Sequence, residues 1–417
     1  MIVSQCYHSK SKKKTNDNNL GMKYAVFLFF CLNIYTTVFT QSVDLYLDLS
    51  EALSLEDKNI FSFKVTSYCE SRLKEISGEK FEIPSCEIAY NGVALKAKSC
   101  KTRGKTTLYF KRKSFSISLK DSVVLGESEI KKLALNNLAM DHNYYRNRLS
   151  FLCLERIGIF HLQNKFAELR INGNSAGLYL AIQKPEDYIR SQESTLLVRR
   201  EYEGRYTIED SQGDNVKNPM KRLRKIPQLT KKFEGQQLYD SLDAVVHLDH
   251  YFKWLAFNYM IKNGDYTDEL FLYLTADEHL FDIIPWDYDD IFKSQPHDGF
   301  EARNKVLGRK LLFSGEAYVD IVIGNDKVLY LQFLRTFKQV LEILNPDVLK
   351  DTFEKVYLEL YPYFADQEVI AQSGYDYFGL TNLSTLRTDL QNQFQAILLQ
   401  RKSIEIIIAS EFRRLSE

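Results

Sequence analysis

Two largely apolar runs of strand length, Phe271–Leu274 and Leu280–Ile284, flank the polar stretch Thr275-Ala276-Asp277-Glu278-His279, which reads as a short turn. A hairpin built this way returns the chain to where it started. Its two open ends carry knots of acid: Asp265, Asp268 and Glu269 before the first strand, and Asp287, Asp289 and Asp290 after the second. Asp265 and Asp287 are 22 residues apart in sequence (287 − 265), yet the hairpin is expected to bring them within a few ångströms of each other. Carboxylates crowded in this way repel, and a divalent cation is the obvious neutraliser. A single Asp in such a loop reads as a solvated turn. Two knots flanked by apolar strands, with Trp286 set beside one of them, point to a site.

The rest of the chain sets bounds. With 417 residues, 45% hydrophobic and 26% charged, it is long enough for one large or two closely packed domains. The 55 Lys and Arg balance the 55 Asp and Glu, so the basic footprint of a nucleic-acid binder is missing. The 13% aromatic content suits a sizeable core without naming an activity.

The N-terminus has its own character. Lys10, Lys12, Lys13, Lys14 and Lys23 precede an uncharged stretch that is most apolar from Tyr24 to Phe39 and runs through Thr40-Gln41-Ser42. A basic region, an apolar core and small residues beyond it are the parts of a secretory signal, with cleavage expected near residues 40 to 42. The competing reading is an uncleaved anchor over the 20 uncharged residues Tyr24 to Val43 (43 − 24 + 1), which Asn33, Thr36, Thr37 and Gln41 make a poor membrane span. Leu28-Phe29-Phe30-Cys31 fits a lipid-attachment pattern badly because its two Phe are bulky. Cys69, Cys86, Cys100 and Cys153 remain beyond this segment, so one or two disulfides are possible with three connectivities open, and buried free thiols are the alternative.

From Asp44 to Asp121 the pattern is mainly strands. Cys86 to Lys98 alternates around Asn91-Gly92, a strong hairpin signal, and Ser114 to Leu119 alternates as a half-buried strand should. A helix is predicted over Tyr144 to Ile157, ended by Gly158, and two strands over Phe166–Ile171 and Leu178–Ile182, joined by the tight turn Asn172-Gly173-Asn174-Ser175. Residues 200 to 237 are rich in charge and Gly and read as an irregular or mobile insertion, whose seven positive charges from Lys217 to Lys232 suit a solvated face or a patch for an acidic substrate. Helices are predicted over Leu248–Ile261, Val328–Leu344, Asp347–Tyr361 and Leu386–Ser410, with Asn345-Pro346 separating the second from the third. The expected fold is α+β and two-lobed. It comprises the N-terminal segment 1–42, a strand-rich lobe 43–199, a polar insertion or inter-lobe segment 200–240, and a helical lobe 241–417 that carries the acidic hairpin at the cleft.

Five pieces of the chain, in order and at approximate spacing, resemble the spore-coat-protein-H (CotH) kinase family, whose fold is an atypical protein-kinase-like one. They are Arg103-Gly104-Lys105-Thr106-Thr107 through Arg112-Lys113-Ser114-Phe115; Met140-Asp141 with Arg146-Asn147; Asn172-Gly173-Asn174-Ser175-Ala176-Gly177-Leu178-Tyr179; Leu255-Ala256-Phe257-Asn258 before Asn263-Gly264-Asp265; and Ile284-Pro285-Trp286-Asp287-Tyr288-Asp289. The resemblance covers about residues 44 to 410. It implies that Asp265 is the catalytic Asp, Asp287 the Mg²⁺-binding Asp, and Asp289 a second ligand or an orienting group. Protein kinases pair these two duties in the same way, one Asp accepting the hydroxyl proton and another holding metal against the phosphates. Arg103 and Lys113 match basic positions of the family motif and would face the phosphates, with Gly104 letting backbone N–H groups approach an anion. Arg146 would add a charge or pair with a carboxylate, and Lys184 and Trp286 complete the expected nucleotide site.

This sequence departs from the family in three places. Gln183-Lys184 replaces the usual Glu-Lys and loses a charge that would hold Lys184 or a metal. The family's metal-holding Asn aligns best with Glu269, itself a competent hard ligand for Mg²⁺ or Mn²⁺. The usual N-W-D is Asn263-Gly264-Asp265. The leading expectation is a secreted, periplasmic or envelope kinase that uses ATP with Mg²⁺ or Mn²⁺ on a protein substrate. No nucleic acid is expected, and a membrane only through the N-terminal segment. The alternative is a catalytically weak or inactive surface binding or adhesion protein on the same fold. A third reading, a glycoside hydrolase using Asp265 and Asp287 as an acid/base pair, has little beyond Trp286 for a sugar platform.

Overall fold

In the computed structural model, which describes residues 44–47, 58–202, 205–212, 216–276 and 280–417, regular structure opens with β1 (Ile60–Lys64). The hairpin of β2 (Glu87–Tyr90) and β3 (Val93–Leu95) turns at Asn91 and Gly92, whose φ values of 47° and 79° are the left-handed pair that a two-residue turn between twisted strands requires. After β4 (Ala97–Arg103), β5 (Ser114–Leu125) and β6 (Ser128–Asn136), the same device recurs. Asn172 and Gly173, at φ 51° and 88°, join β7 (Asn164–Ile171) to β8 (Asn174–Gln183). These strands form one sheet in the order β3-β2-β1-β7-β8-β6-β5-β4, antiparallel throughout except for β1 beside β7.

Both faces of this sheet are covered. Along β8, Leu178, Leu180 and Ile182 enter the large core shared with the C-terminal helices, while Tyr179 and Ala181 enter a smaller core with Phe61, Phe63, Phe115 and Ile117. Two-sided burial explains why β8 is almost continuously apolar. It also corrects the half-buried reading of Ser114–Leu119, where Ser114 and Ser116 are as buried as Phe115 and Ile117. The Ser114 hydroxyl is tolerated because a partner is at hand: its Oγ accepts from the Asn137 N–H at 3.0 Å.

A second sheet, in the order β10-β9-β11-β12, is made by β9 (Leu196–Arg200), β10 (Tyr206–Ser211), β11 (Leu270–Leu274) and β12 (Phe281–Pro285). The helix Leu248–Ile261 is apolar around most of its circumference, burying Phe252, Trp254, Leu255 and Phe257 among others, and runs through the core behind this sheet. The long helices Lys327–Ile343, Pro346–Phe364 and Leu383–Ser416 close the core. Each starts where the sequence supplies an acceptor: the side chains of Asp326, Asn345 and Asn382 take first-turn N–H groups that would otherwise lack partners.

Residues 200–237 correct the expectation of an irregular stretch. They contain β10 and the helices Lys217–Arg224 and Ile226–Lys232, and the helix Gly235–Asp243 begins there. Met220, Leu223, Ile226, Leu238 and Leu242 anchor these helices in the large core, a sparse stripe that the surrounding charge hides from a reading of composition. The described cysteines are free thiols, with Cys86 and Cys100 side by side. The N-terminal signal or anchor lies outside the described residues. Among those that are described, no helix is long and apolar enough to cross a membrane. The architecture is mixed α+β, with strand-rich sheets preceding a helical C-terminal half.

Candidate active site

Main-chain hydrogen bonds knit the two acidic loops together. The helix Leu248–Ile261 stops at Lys262, which takes a left-handed φ of 51°. From there the chain runs beside residues 290–293: Gly264 N–H donates to Asp290 O at 2.9 Å, Lys293 N–H to Lys262 O at 3.1 Å, and Phe292 N–H to Ile261 O at 2.9 Å. β11 and β12 pair antiparallel from Leu270–Pro285 to Leu274–Phe281, and Trp286 N–H donates to Glu269 O at the open end. The hairpin therefore returns as the sequence predicts. Gly264 is where the loops touch: a Cβ there would lie 2.7 Å from Asp290 Oδ2 and 2.9 Å from Lys293 Cγ, so any larger residue would have to displace these two side chains.

The carboxylates converge. Burial pushes Asp265, Glu269, Asp287 and Asp289 above the usual carboxylate range, and mutual repulsion adds to it, Asp287 acting on both Glu269 and Asp289. Asp287 has a left-handed φ of 44° and is steadied by the Asp289 N–H. Asp265 receives the Tyr202 hydroxyl at 3.3 Å and has His297 Nδ1 at 3.6 Å, while the other ring nitrogen of His297 meets Asp290 at 3.1 Å.

Cationic groups face this set, though not all of those expected. The Arg103 guanidinium lies over the Trp286 ring at 5.7 Å, bonds Asn136 Oδ1, and feels the charges of Asp287, Glu186 and Glu269. Lys184 is ion-paired to Glu186, so the negative charge missing at Gln183 is supplied three residues later. Gln183 is buried, its amide donating to Asp187 at 3.1 Å. Glu269, expected to hold metal, is bonded to Arg199 at 3.0 Å, and Arg199 also meets the Asp268 carboxylate and carbonyl. Arg199 and Arg103 thus flank the edge-to-face pair Phe271–Trp286.

Lys113 is not brought to the carboxylates. Its buried ammonium donates to Leu108 O at 2.6 Å and Phe110 O at 2.7 Å, closing its own loop. Gly104, at φ 103°, shapes the start of that loop, where a Cβ would meet Thr107 Oγ1 at 1.9 Å. Arg146 reaches the site through the main chain, donating to Asp289 O at 3.0 Å. Asp141 accepts the N–H groups of Arg146 and Asn147, both at 3.0 Å, and Asn147 Oδ1 accepts Tyr288 N–H at 2.8 Å. The Met140-Asp141 and Arg146-Asn147 pieces therefore hold the helix Arg146–Arg156 against the Asp287–Asp289 loop. Glu186, Arg199, Tyr202 and His297 were not singled out from sequence. Only Glu186, beside Lys184, gave a usable signal.

Among the described residues no three metal-capable side chains form a ready-made cage. The donor chemistry still fits Mg²⁺ or Mn²⁺, which bind through one or two carboxylates together with phosphates and water. With Glu269 engaged by Arg199, Asp287 and Asp289 would be the pair to hold such a cation.

The sequence profile described as CotH kinase protein matches residues 100–377. Inner spore coat protein H of Bacillus subtilis (strain 168) is 27% identical over 213 residues, covering 45% of this chain and 56% of that protein, so this chain spans little more than half of that relative's length. Among solved structures, the Helicobacter pylori proinflammatory kinase CtkA overlaps 66% of this chain and 94% of its own at a TM-score of 0.32 and 8% identity. HipA, from the Shewanella oneidensis MR-1 HipA, HipB and operator DNA complex, overlaps 82% and 76% at 0.26 and 11%. Both overlaps are loose. The profile match spans the loop 104–113, the Asp141–Asn147 brace and both acidic knots. The chain belongs to the CotH kinase protein family.

Proposed function

We propose that this chain is an ATP-dependent phosphotransferase, working in the cell envelope or outside the cell, that delivers phosphate to hydroxyl groups of a protein substrate from a two-lobed, protein-kinase-like scaffold. The observation that carries this reading is the convergence of Asp265, Asp287 and Asp289 at the open end of the β11–β12 hairpin, with Arg103 facing Asp287. Asp265, partly exposed, accepts the proton of the attacking hydroxyl. Asp287 and Asp289 would hold the cation, which when bound would offset charge building on the phosphoryl oxygens. Arg103 and the Glu186-steadied Lys184 face the phosphates. The spore-coat name of the Bacillus relative and the N-terminal signal-like segment support an envelope or spore-coat setting.

Thermal unfolding tests the nucleotide half of this reading. ATP with Mn²⁺ at 100 times its Kd should stabilise the fold by roughly 2.7 kcal/mol, and Asp287→Ala should remove that gain. The second reading, a binding protein that has lost catalysis, draws on the Arg199–Glu269 ion pair at a position expected to hold metal. It predicts no shift with nucleotide.

The pH profile tests the proton acceptor. His297 pulls the Asp265 carboxyl down against the burial that raises it. Removing the imidazole in His297→Ala lets that pKa climb further, so Asp265 ionises at higher pH. The acidic limb of kcat/KM should move to higher pH while the alkaline limb stays in place.

A further inference from the structure

A groove of about 460 Å³ lies between the helix Lys217–Arg224 and Ile208, which pairs with Val198 midway along the β9–β10 hairpin. Ile208 and the buried Met220 contribute its apolar lining, and Lys217, Lys221, Arg224 and Lys225 stand around it. These four cations are exposed, and among the described residues none is in an ion pair, unlike Arg199, Arg200 and Lys184 nearby. Four positive charges without an ion-pair partner among the described residues, set around a concave apolar strip, make a receptor for an extended acidic segment: a flat anionic surface would not reach the strip, and a free phosphate would not use it.

The hairpin also ties this groove to the chemistry. Tyr202, at its tip, hydrogen-bonds Asp265, and Ile208 follows six residues later (208 − 202). At about 3.3 Å per residue the two are no more than about 20 Å apart along the chain, the reach of roughly six residues of extended peptide. We infer that the Lys217–Lys225 groove binds a run of Asp or Glu in the protein substrate, about four to six residues from the hydroxyl that Asp265 serves. This rests on the phosphotransferase reading for its purpose, but not for the binding itself.

The test uses the full chain and synthetic peptides with one Ser and either a Glu-Asp-Glu-Asp run or its Gln-Asn counterpart, placed on either side of the Ser. One acidic placement should lower KM by about 10-fold relative to its neutral counterpart. Lys217→Gln/Lys221→Gln/Arg224→Gln should erase that difference without changing kcat or the KM of the neutral peptide, and 0.5 M NaCl should mimic the variant. Equal KM values for acidic and neutral peptides in the unaltered chain, or a preference that survives in the variant, would overturn the inference. Fluorescence anisotropy of the labelled acidic peptide without nucleotide separates the two readings. Binding that the variant loses supports the groove even where no phosphate is transferred, and absence of binding overturns it. Loss of sedimentation with phosphatidylserine vesicles in the variant, with peptide binding unchanged, would make the patch a membrane contact and also overturn it.

Discussion

Asp265→Asn should lower kcat by roughly 10²–10⁴-fold, the range ascribed to a positioned general base, while leaving the affinity for ATP with Mn²⁺ within about twofold. Two features make this the sharpest substitution. Asn keeps the volume of Asp and its ability to accept from the Tyr202 hydroxyl, so the loop has no steric reason to move. Only the capacity to take a proton is lost. Asp265 stands beside the pair assigned to the cation without being one of them, so the loss should fall on chemistry and not on nucleotide binding: a change confined to kcat marks an interaction made in the transition state. A matching loss of nucleotide affinity would instead make Asp265 a ligand-holding group.

Arg112→Ala should cost about 3–5 kcal/mol of stability, measured by urea unfolding, because it strands a buried carboxylate. Arg112 is buried in an ion pair with Asp376. It also donates to the carbonyls of Ala176 and Leu178 and to the Tyr144 hydroxyl, and lies over the Tyr179 ring at 5.1 Å. One guanidinium thus joins the loop before β5, strand β8 and the segment before the last helix. Arg112→Lys should recover only part of the loss, since an ammonium lacks the planar fork that serves these acceptors together. The double variant Arg112→Met/Asp376→Leu should be less destabilised than Arg112→Ala, because the residual cost comes from the orphaned charge.

Features encoded by neighbouring residues were legible in the sequence. Asn91-Gly92 and Asn172-Gly173 specify their turns through local backbone preference, and β11 and β12 through two apolar runs around a polar break. The helix Leu248–Ile261 was read to its ends because its apolar residues are dense. The helices of 217–243 were missed because each contributes only one or two core residues among many charges. Tertiary context also decided the cations. Lys113 matches a basic motif position, but its charge is spent on the carbonyls of a turn that folds back over it. Arg199 is the next-to-last residue of a β-strand that the sequence reading did not mark, just before the stretch read as a polar insertion, so its pairing with Glu269 beside the β9–β11 ladder had no sequence signal. The apparent loss at Gln183 misled for a simpler reason: the compensating acid, Glu186, sits in the first turn of the following helix.

Transfer of label from γ-labelled ATP to protein tests the central claim most directly. The full chain with Mg²⁺ or Mn²⁺ should become labelled or label an added protein on hydroxyl side chains, and Asp265→Ala and Asp287→Ala should each abolish the signal while keeping the unaltered fold by circular dichroism. Labelling that persists in both variants, or that never appears in the unaltered chain supplied with acidic and neutral Ser peptides and either metal, would contradict it.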